Sequence, residues 1–209
     1  MQYRLITIEG NIGAGKTTLS TLLAERLGAR LVLESFANNP FLPKFYREPR
    51  RYGFQLELFF MAERFKQLQG LQNLDLFKQV TVSDYVFFKS LLFAKVTLDE
   101  DEYRLYQRLF YTVNQQLVQP DLLIYLHAPI AKLQENIRKR NRSYEQAIPN
   151  VYLQRIEDTY MTYIGQDQQR TLFVDASNAD FLHNETHLQT ILDALEKDYT
   201  AGRHFIQLP

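Results

Sequence analysis

Apolar positions along the chain alternate between two spacings. Residues 3–8 (YRLITI) form a short, β-rich apolar run of the kind a buried strand requires. A glycine-rich turn follows. Residues 17–27 then place Leu19, Leu22, Leu23 and Leu27 at helical spacing and close on Gly28. The alternation continues with predicted strands at 30–33, 79–83, 121–127 and 171–174. Predicted helices lie at 54–71, 85–94, 101–118, 130–140, 151–164 and 186–197. Asn38, Asn39, Pro40 and Pro43 break the chain between the second strand and the first long helix, and Pro120 stops the helix before it. Short strands separated by helices predict an α/β chain whose parallel sheet is covered on both faces. No repeat, low-complexity tract or flexible linker interrupts residues 1–209, which read as a single domain.

Composition narrows the picture. Hydrophobic residues make up 45% of the chain, enough for a substantial core. Lysine plus arginine number 24 and aspartate plus glutamate also 24, and this balance argues against binding polymeric nucleic acid by bulk charge. The absence of cysteine removes disulfides, thiolate chemistry and cysteine-ligated metals. No apolar stretch is long enough to span a bilayer and no signal-cleavage pattern is present, so the expectation is a soluble, cytoplasmic chain with no membrane association.

The chemistry starts at the first turn. Gly10, Asn11, Ile12, Gly13, Ala14, Gly15, Lys16 and Thr17 match GxxxxGK[ST], with an apolar strand before and a helix after. In that pattern the glycines let successive N–H groups face an anion, and the helix that follows, opening with Thr17 and Thr18, adds its positive end. Lys16 is placed to reach the β- and γ-phosphates of a nucleoside triphosphate. The Thr17 hydroxyl is placed to ligate Mg²⁺.

In open parallel sheets ligands sit beyond the carboxyl ends of the strands. Glu34 and Asp84 stand at two such ends and are expected to face the same crevice as the loop. Glu34 suits an acceptor hydroxyl that must be oriented for in-line attack, and Asp84 suits Mg²⁺, directly or through water. Arg138, Lys139, Arg140 and Arg142 crowd a helix end, and residues 138–147 read as a basic lid over the transferring phosphate.

Six segments together resemble the deoxynucleoside kinase family, and within it the bacterial deoxyguanosine/deoxyadenosine branch. They are GNIGAGKTT at Gly10, LES at Leu33, FQLELFF at Phe54, VSDY at Val82, KRNRSYEQAIP at Lys139 and DASNADF at Asp175. The resemblance implies a P-loop kinase fold with a five-stranded parallel sheet, ATP as donor with Mg²⁺, a deoxynucleoside acceptor and a homodimer. It implies that Glu34 contacts the 5′-hydroxyl as the catalytic acid of the family pattern, with Lys16, Asp84 and Arg140 completing the catalytic set. Gln55 would bind the base, Tyr46 and Glu145 the 3′-hydroxyl, and Arg140 and Arg142 would act as lid arginines. Asp180 and Phe181 fall in the loop that cradles the donor base. Two departures stand out. Tyr85 replaces the arginine that normally follows the acid after the third strand, leaving Arg64 as the cation expected near Glu34. Asn136 replaces the first lid arginine. Ser90 occupies the position of a base-reading aspartate, and a purine is the expected base.

Two other readings share the loop. A nucleoside monophosphate kinase would need an added arginine pair for the acceptor phosphate. A nucleotide-dependent switch would need a guanine-reading Asn-Lys-x-Asp, and the fourth strand instead ends in His127-Ala-Pro-Ile. The remaining histidines, including His183 and His187, are expected at the surface without metal-ligand spacing. Arg50 and Arg51 read as a solvated turn, and residues 97–102 as a loop and helix start.

Overall fold

The computed structural model describes residues 2–35, 39–71, 80–166 and 169–209. Asn38, read as part of a chain break, and Gln79, read as the start of the third strand, lie outside the described residues. The chain runs β1 (Leu5–Gly10), α1 (Lys16–Leu27), β2 (Arg30–Val32), α2 (Leu42–Phe45), α3 (Pro49–Gln69), β3 (Thr81–Ser83) and α4 (Lys89–Thr97). It continues α5 (Glu100–Asn114), β4 (Leu122–His127), α6 (Ile130–Arg140), α7 (Asn150–Gln166), β5 (Arg170–Asp175), α8 (Glu185–Leu195) and β6 (Gly202–Ile206). The strands form one sheet in the order β2-β3-β1-β4-β5-β6, and every pairing is parallel.

The sheet therefore has six strands among the described residues, not the five expected. The sixth, Gly202–Ile206, pairs with β5 from Arg170↔Gly202 to Val174↔Ile206. It escaped the hydrophobic pattern because it is an edge strand: Arg203 and Phe205 are exposed, and no apolar run marks it. Two helix boundaries also moved. Helix α3 begins at Pro49, with proline in the first turn where no N–H is needed, so Arg50 and Arg51 are exposed helical residues and not a turn. Helix α4 begins only at Lys89, because the Val86 N–H is drawn to Glu9 Oε1 (2.9 Å) and not into a helix. The acidic stretch before α5 does what its composition suggests: Asp99 and Glu102 form a reciprocal capping box.

Two apolar layers hold the sheet. Ile6, Ile8, Ile124, Leu126, Leu172 and Val174 are fully buried and pack with α1, α6 and α8. On the other side Tyr85, Phe87, Leu91, Tyr106 and Phe110 form a second cluster with α3 and α4. Within it the Phe87 and Phe110 rings stack at 4.9 Å. No helix among the described residues is long and apolar enough to cross a membrane. Phe110→Ala is expected to destabilise the fold by about 3–5 kcal/mol through the lost ring and the cavity left behind. Denaturant unfolding measures this, and a loss under about 1 kcal/mol would show that the second layer does not support the sheet.

Candidate active site

Backbone sterics build the phosphate loop. Gly10 ends β1 at φ 149°, and a Cβ there would meet the Leu126 carbonyl oxygen at 2.6 Å. Gly13 has φ 85° and lies as close to the Leu133 carbonyl, 2.7 Å from an added Cβ. Both positions exclude any other residue. Gly15 stands at the N-cap of α1 without a side-chain cap, so the first N–H groups of the helix remain available to an anion. Lys16 Nζ donates to the carbonyls of Gly10 (2.9 Å) and Asn11 (2.8 Å). Loss of solvent, and then repulsion from Lys89, bring this ammonium down to about 8 against the pull of Glu9, Glu34 and Asp84.

The loop is clamped from outside. Asn11 Nδ2 donates to Leu153 O (2.8 Å) and Glu157 Oε2 (3.1 Å), while its Oδ1 accepts from the Ile12 N–H (2.8 Å). Glu157 Oε1 in turn contacts Tyr125 Oη (3.0 Å) and His127 Nδ1 (2.7 Å), tying α7 to β4. Asn136 Nδ2 donates to Gly13 O (2.8 Å) from α6. The residue that replaces a lid arginine thus braces the loop.

The loop opens into a cavity of about 630 Å³, within the range of small-ligand sites. At its centre Asp84 touches both halves: Oδ2 accepts from Thr17 Oγ1 (2.7 Å), and Oδ1 accepts from the Glu34 N–H (2.7 Å). Glu34 is held by two cations. Arg64 donates to Oε1 from Nε (2.7 Å) and Nη2 (2.6 Å), and Lys89 donates to Oε2 (2.7 Å). Burial alone would raise the Glu34 carboxyl, but Lys89 and then Arg64 overcome it and hold the group well below the usual carboxylate range. At the lid, Glu145 pairs with Arg140 and with Arg142 (3.2 Å), and Tyr46 stacks on Tyr144 at 6.2 Å. The segment at Asp180 is fixed by its own N–H, which donates to His187 Nδ1 (3.1 Å).

Most of the expected residues meet in this cavity. Ile12, Gly13, Ala14, Gly15, Lys16, Thr17 and Thr18 line one end. Glu34, Tyr46, Arg64, Asp84, Arg140, Arg142, Glu145, Asp180 and Phe181 line the rest. Gly10 and Asn11 are absent from the wall and act behind it, as spacer and anchor. Gln55 does not reach the cavity: it is exposed on α3, since two residues along a helix turn a side chain to the other face. Glu57 takes that place, 1% exposed and part of the wall. Ser90 is also outside the wall; fully buried, it accepts from Arg64 Nη1 (2.9 Å) and so positions the arginine. Tyr85 turns into the second core layer, where its hydroxyl donates to Gln67 Oε1 (2.7 Å). Arg138 is exposed and outside the wall. His187 is buried and not a surface residue, while His183 is exposed beside Asp180. No group of three His, Cys, Asp or Glu suited to a metal occurs among the described residues.

Sequence reading missed Glu57 and Lys89. For Glu57 a signal existed: with Phe60 and Arg64 it follows the i, i+3, i+7 spacing of one helix face. Lys89 had none, because its role depends on how α4 packs against the end of β2.

The deoxynucleoside kinase sequence pattern matches residues 6–199. A deoxyguanosine kinase of Bacillus subtilis (strain 168) is 35% identical over 192 residues, covering 89% of this chain and 93% of its own. A deoxyadenosine kinase of Dictyostelium discoideum is 33% identical over 189 residues, covering 89% of this chain and 77% of its own. Among solved structures, the deoxyadenosine kinase of M. mycoides with products dCMP and a flexible dCDP bound superposes with a TM-score of 0.81 at 26% identity, covering 92% of this chain and 98% of that one. The same enzyme with bound dATP gives 0.81 at 25% identity, covering 93% and 100%.

A lysine depressed to about 8 regains its proton when phosphates neutralise its surroundings. Triphosphate binding is therefore expected to take up protons near about pH 8.5 and to weaken as pH rises through about 8. Calorimetry in buffers of different ionisation enthalpy reads this directly, and binding without proton uptake would contradict the burial of Lys16.

Proposed function

The chain belongs to the deoxynucleoside kinase family, and from that premise we propose that Glu34 orients the 5′-hydroxyl of a purine deoxynucleoside toward a γ-phosphate held by the loop at residues 10–17. The family's reaction is phosphoryl transfer from an ATP-type donor to a deoxynucleoside. The observation that carries the assignment is Asp84, which contacts the loop's Thr17 through one oxygen and the Glu34 backbone through the other.

An acid held well below its usual range is a weak proton acceptor at the start of reaction. That suits phosphoryl transfer, whose loose transition state asks the protein mainly for positioning and charge stabilisation. Glu34 would accept the hydroxyl's hydrogen bond and set its line of attack. Lys16, Arg140 and Arg142 would stabilise charge on the transferring group, with residues 138–147 closing as a lid. Tyr46 and Glu145 would hold the 3′-hydroxyl, and Asp180 and Phe181 the donor base. Thr17 Oγ1 and Asp84 Oδ2, 2.7 Å apart, are hard oxygens of the kind Mg²⁺ takes. When bound there, Mg²⁺ would neutralise the β- and γ-phosphate oxygens.

The purine preference rests on the relatives named for deoxyguanosine and deoxyadenosine. A monophosphate acceptor is disfavoured because Arg64 and Lys89 both commit their charge to Glu34. Residues 1–209 would act as one domain. A homodimer is supported by exposed Leu58 on α3 and Leu105, Leu109 and Tyr111 on α5.

Glu34→Gln is expected to keep donor binding and to lower kcat by a factor on the order of 10²–10⁴. Turnover comparable to the unaltered chain would remove Glu34 from the reaction. Deoxyguanosine and deoxyadenosine should be phosphorylated in preference to their monophosphates in a coupled assay; the reverse order would favour the monophosphate kinase. Leu109→Glu should shift sedimentation from dimer to monomer, and an unchanged coefficient would place the interface elsewhere.

A further inference from the structure

Six cations among the described residues line the cavity, and their hydrogen bonds sort them. Arg64 directs Nε and Nη2 at Glu34 and Nη1 at Ser90. Lys16 Nζ donates to two backbone carbonyls of the phosphate loop. Arg140 and Arg142 pair with Glu145, and the exposed Lys139 pairs with Glu135. Lys89 differs. It is 4% exposed, yet among the described residues its Nζ donates a single hydrogen bond, to Glu34 Oε2 (2.7 Å). An ammonium carries three donors. A buried one with donors left over is costly unless a ligand completes it.

The side chain has little choice of direction. Lys89 opens α4, and one turn on, Phe93 sets its ring 5.5 Å from the same ammonium. Glu34 and Phe93 both belong to the cavity wall, so the spare donors of Nζ face the space these two residues border. Asp84 joins Thr17 of the phosphate loop to the Glu34 backbone. The ammonium on Glu34 therefore stands on the acceptor side of the transfer point, with Lys16 on the donor side. Of the charges around Lys16, that of Lys89 acts on it most strongly. Two ammonium groups that repel across a cavity are balanced by an anion between them.

We propose that Lys89 is a catalytic residue whose ammonium bridges Glu34 and the phosphoryl group in transit, donating to an equatorial oxygen opposite Lys16. The inference rests on the deoxynucleoside kinase reading above. In the step itself O5′ forms its bond to the γ-phosphorus while the bond from that phosphorus to the β,γ-bridging oxygen breaks. The electron pair leaves with the diphosphate, and the O5′ proton passes to Glu34 and then to solvent. Charge meanwhile spreads over the equatorial oxygens. An ammonium already in place stabilises that charge without reorganisation. As it leans toward the phosphoryl group its hold on Glu34 loosens, so the carboxylate gains basicity as the hydroxyl proton is released. A strongly ionised acid can then accept the proton late in the reaction.

ADP, aluminium fluoride and deoxyguanosine together mimic the transferring group. A crystal of the unaltered enzyme with all three should place Lys89 Nζ about 3 Å from a fluoride. A separation well beyond hydrogen-bond reach overturns the proposal and depends on no variant. Lys89→Met keeps the apolar stem and removes the charge. It should lower kcat by a factor on the order of 10²–10³ while ADP and deoxyguanosine affinities hold. Lys89→Arg, which keeps the charge, should restore part of the rate. Fluoride capture separates direct contact from mere positioning of Glu34. In a Glu34→Gln background Lys89→Met should still weaken capture by about tenfold or more. A residue that acts only by holding Glu34 would add nothing there, and that result overturns the contact with the phosphoryl group. Either contrary result, in an enzyme that phosphorylates deoxynucleosides, leaves the kinase reading intact. Failure to phosphorylate any deoxynucleoside overturns both.

Discussion

The site depends on one carboxylate with two hydrogen bonds. Asp84 accepts from the Thr17 hydroxyl through one oxygen and from the Glu34 amide through the other, each at 2.7 Å. It sits just beyond β3, between β1, which carries the loop, and β2, which carries Glu34. The strand order makes this possible. With β3 between β1 and β2, the residue after β3 is the one within reach of both neighbours. The loop's Thr17 and the Glu34 backbone are thereby held in a fixed relation by a single side chain at the carboxyl end of the sheet.

Charge in the cavity is divided by environment. Glu34 and Glu57 are both glutamates in the same wall, but two cations hold the first ionised while burial dominates at the second. Arg64 links them from one helix face, engaging Glu34 directly while tempering Glu57 at a distance. Ser90 Oγ accepts the third arginine hydrogen bond and fixes its orientation, so a residue outside the cavity governs the geometry within. Lys89 supplies the second positive charge that the sequence at Tyr85 withholds.

The loop is similarly a product of its supports. Its glycines make close approach to β4 and α6 possible, while Asn11 and Asn136 bind it to α7 and α6. The buried Glu157 extends that support to His127 and Tyr125 on β4. The conformation that cradles phosphate is therefore organised by three elements distant in sequence, which lowers the ordering cost of binding.

Sequence alone was sufficient wherever the physics is local. The strand-turn-helix at Gly10, Gly13 and Gly15, the alternation of strands and helices, the helix start within residues 97–102 and the acids at two strand ends all follow from spacing and backbone preference. What failed needed a third dimension. The edge strand at 202–206 is defined by the neighbour it pairs with and not by its own apolar pattern. The cavity-facing side of α3 belongs to Glu57 and not to Gln55, because burial of the helix selects the face. The cations around Glu34 come from α3 and α4, and only tertiary packing brings them together, since an ion pair across 30 or 55 residues leaves no periodicity to read. Local hydrogen bonding and hydrophobic spacing are written in the chain, whereas electrostatic partnership and protonation depend on which surfaces exclude water together.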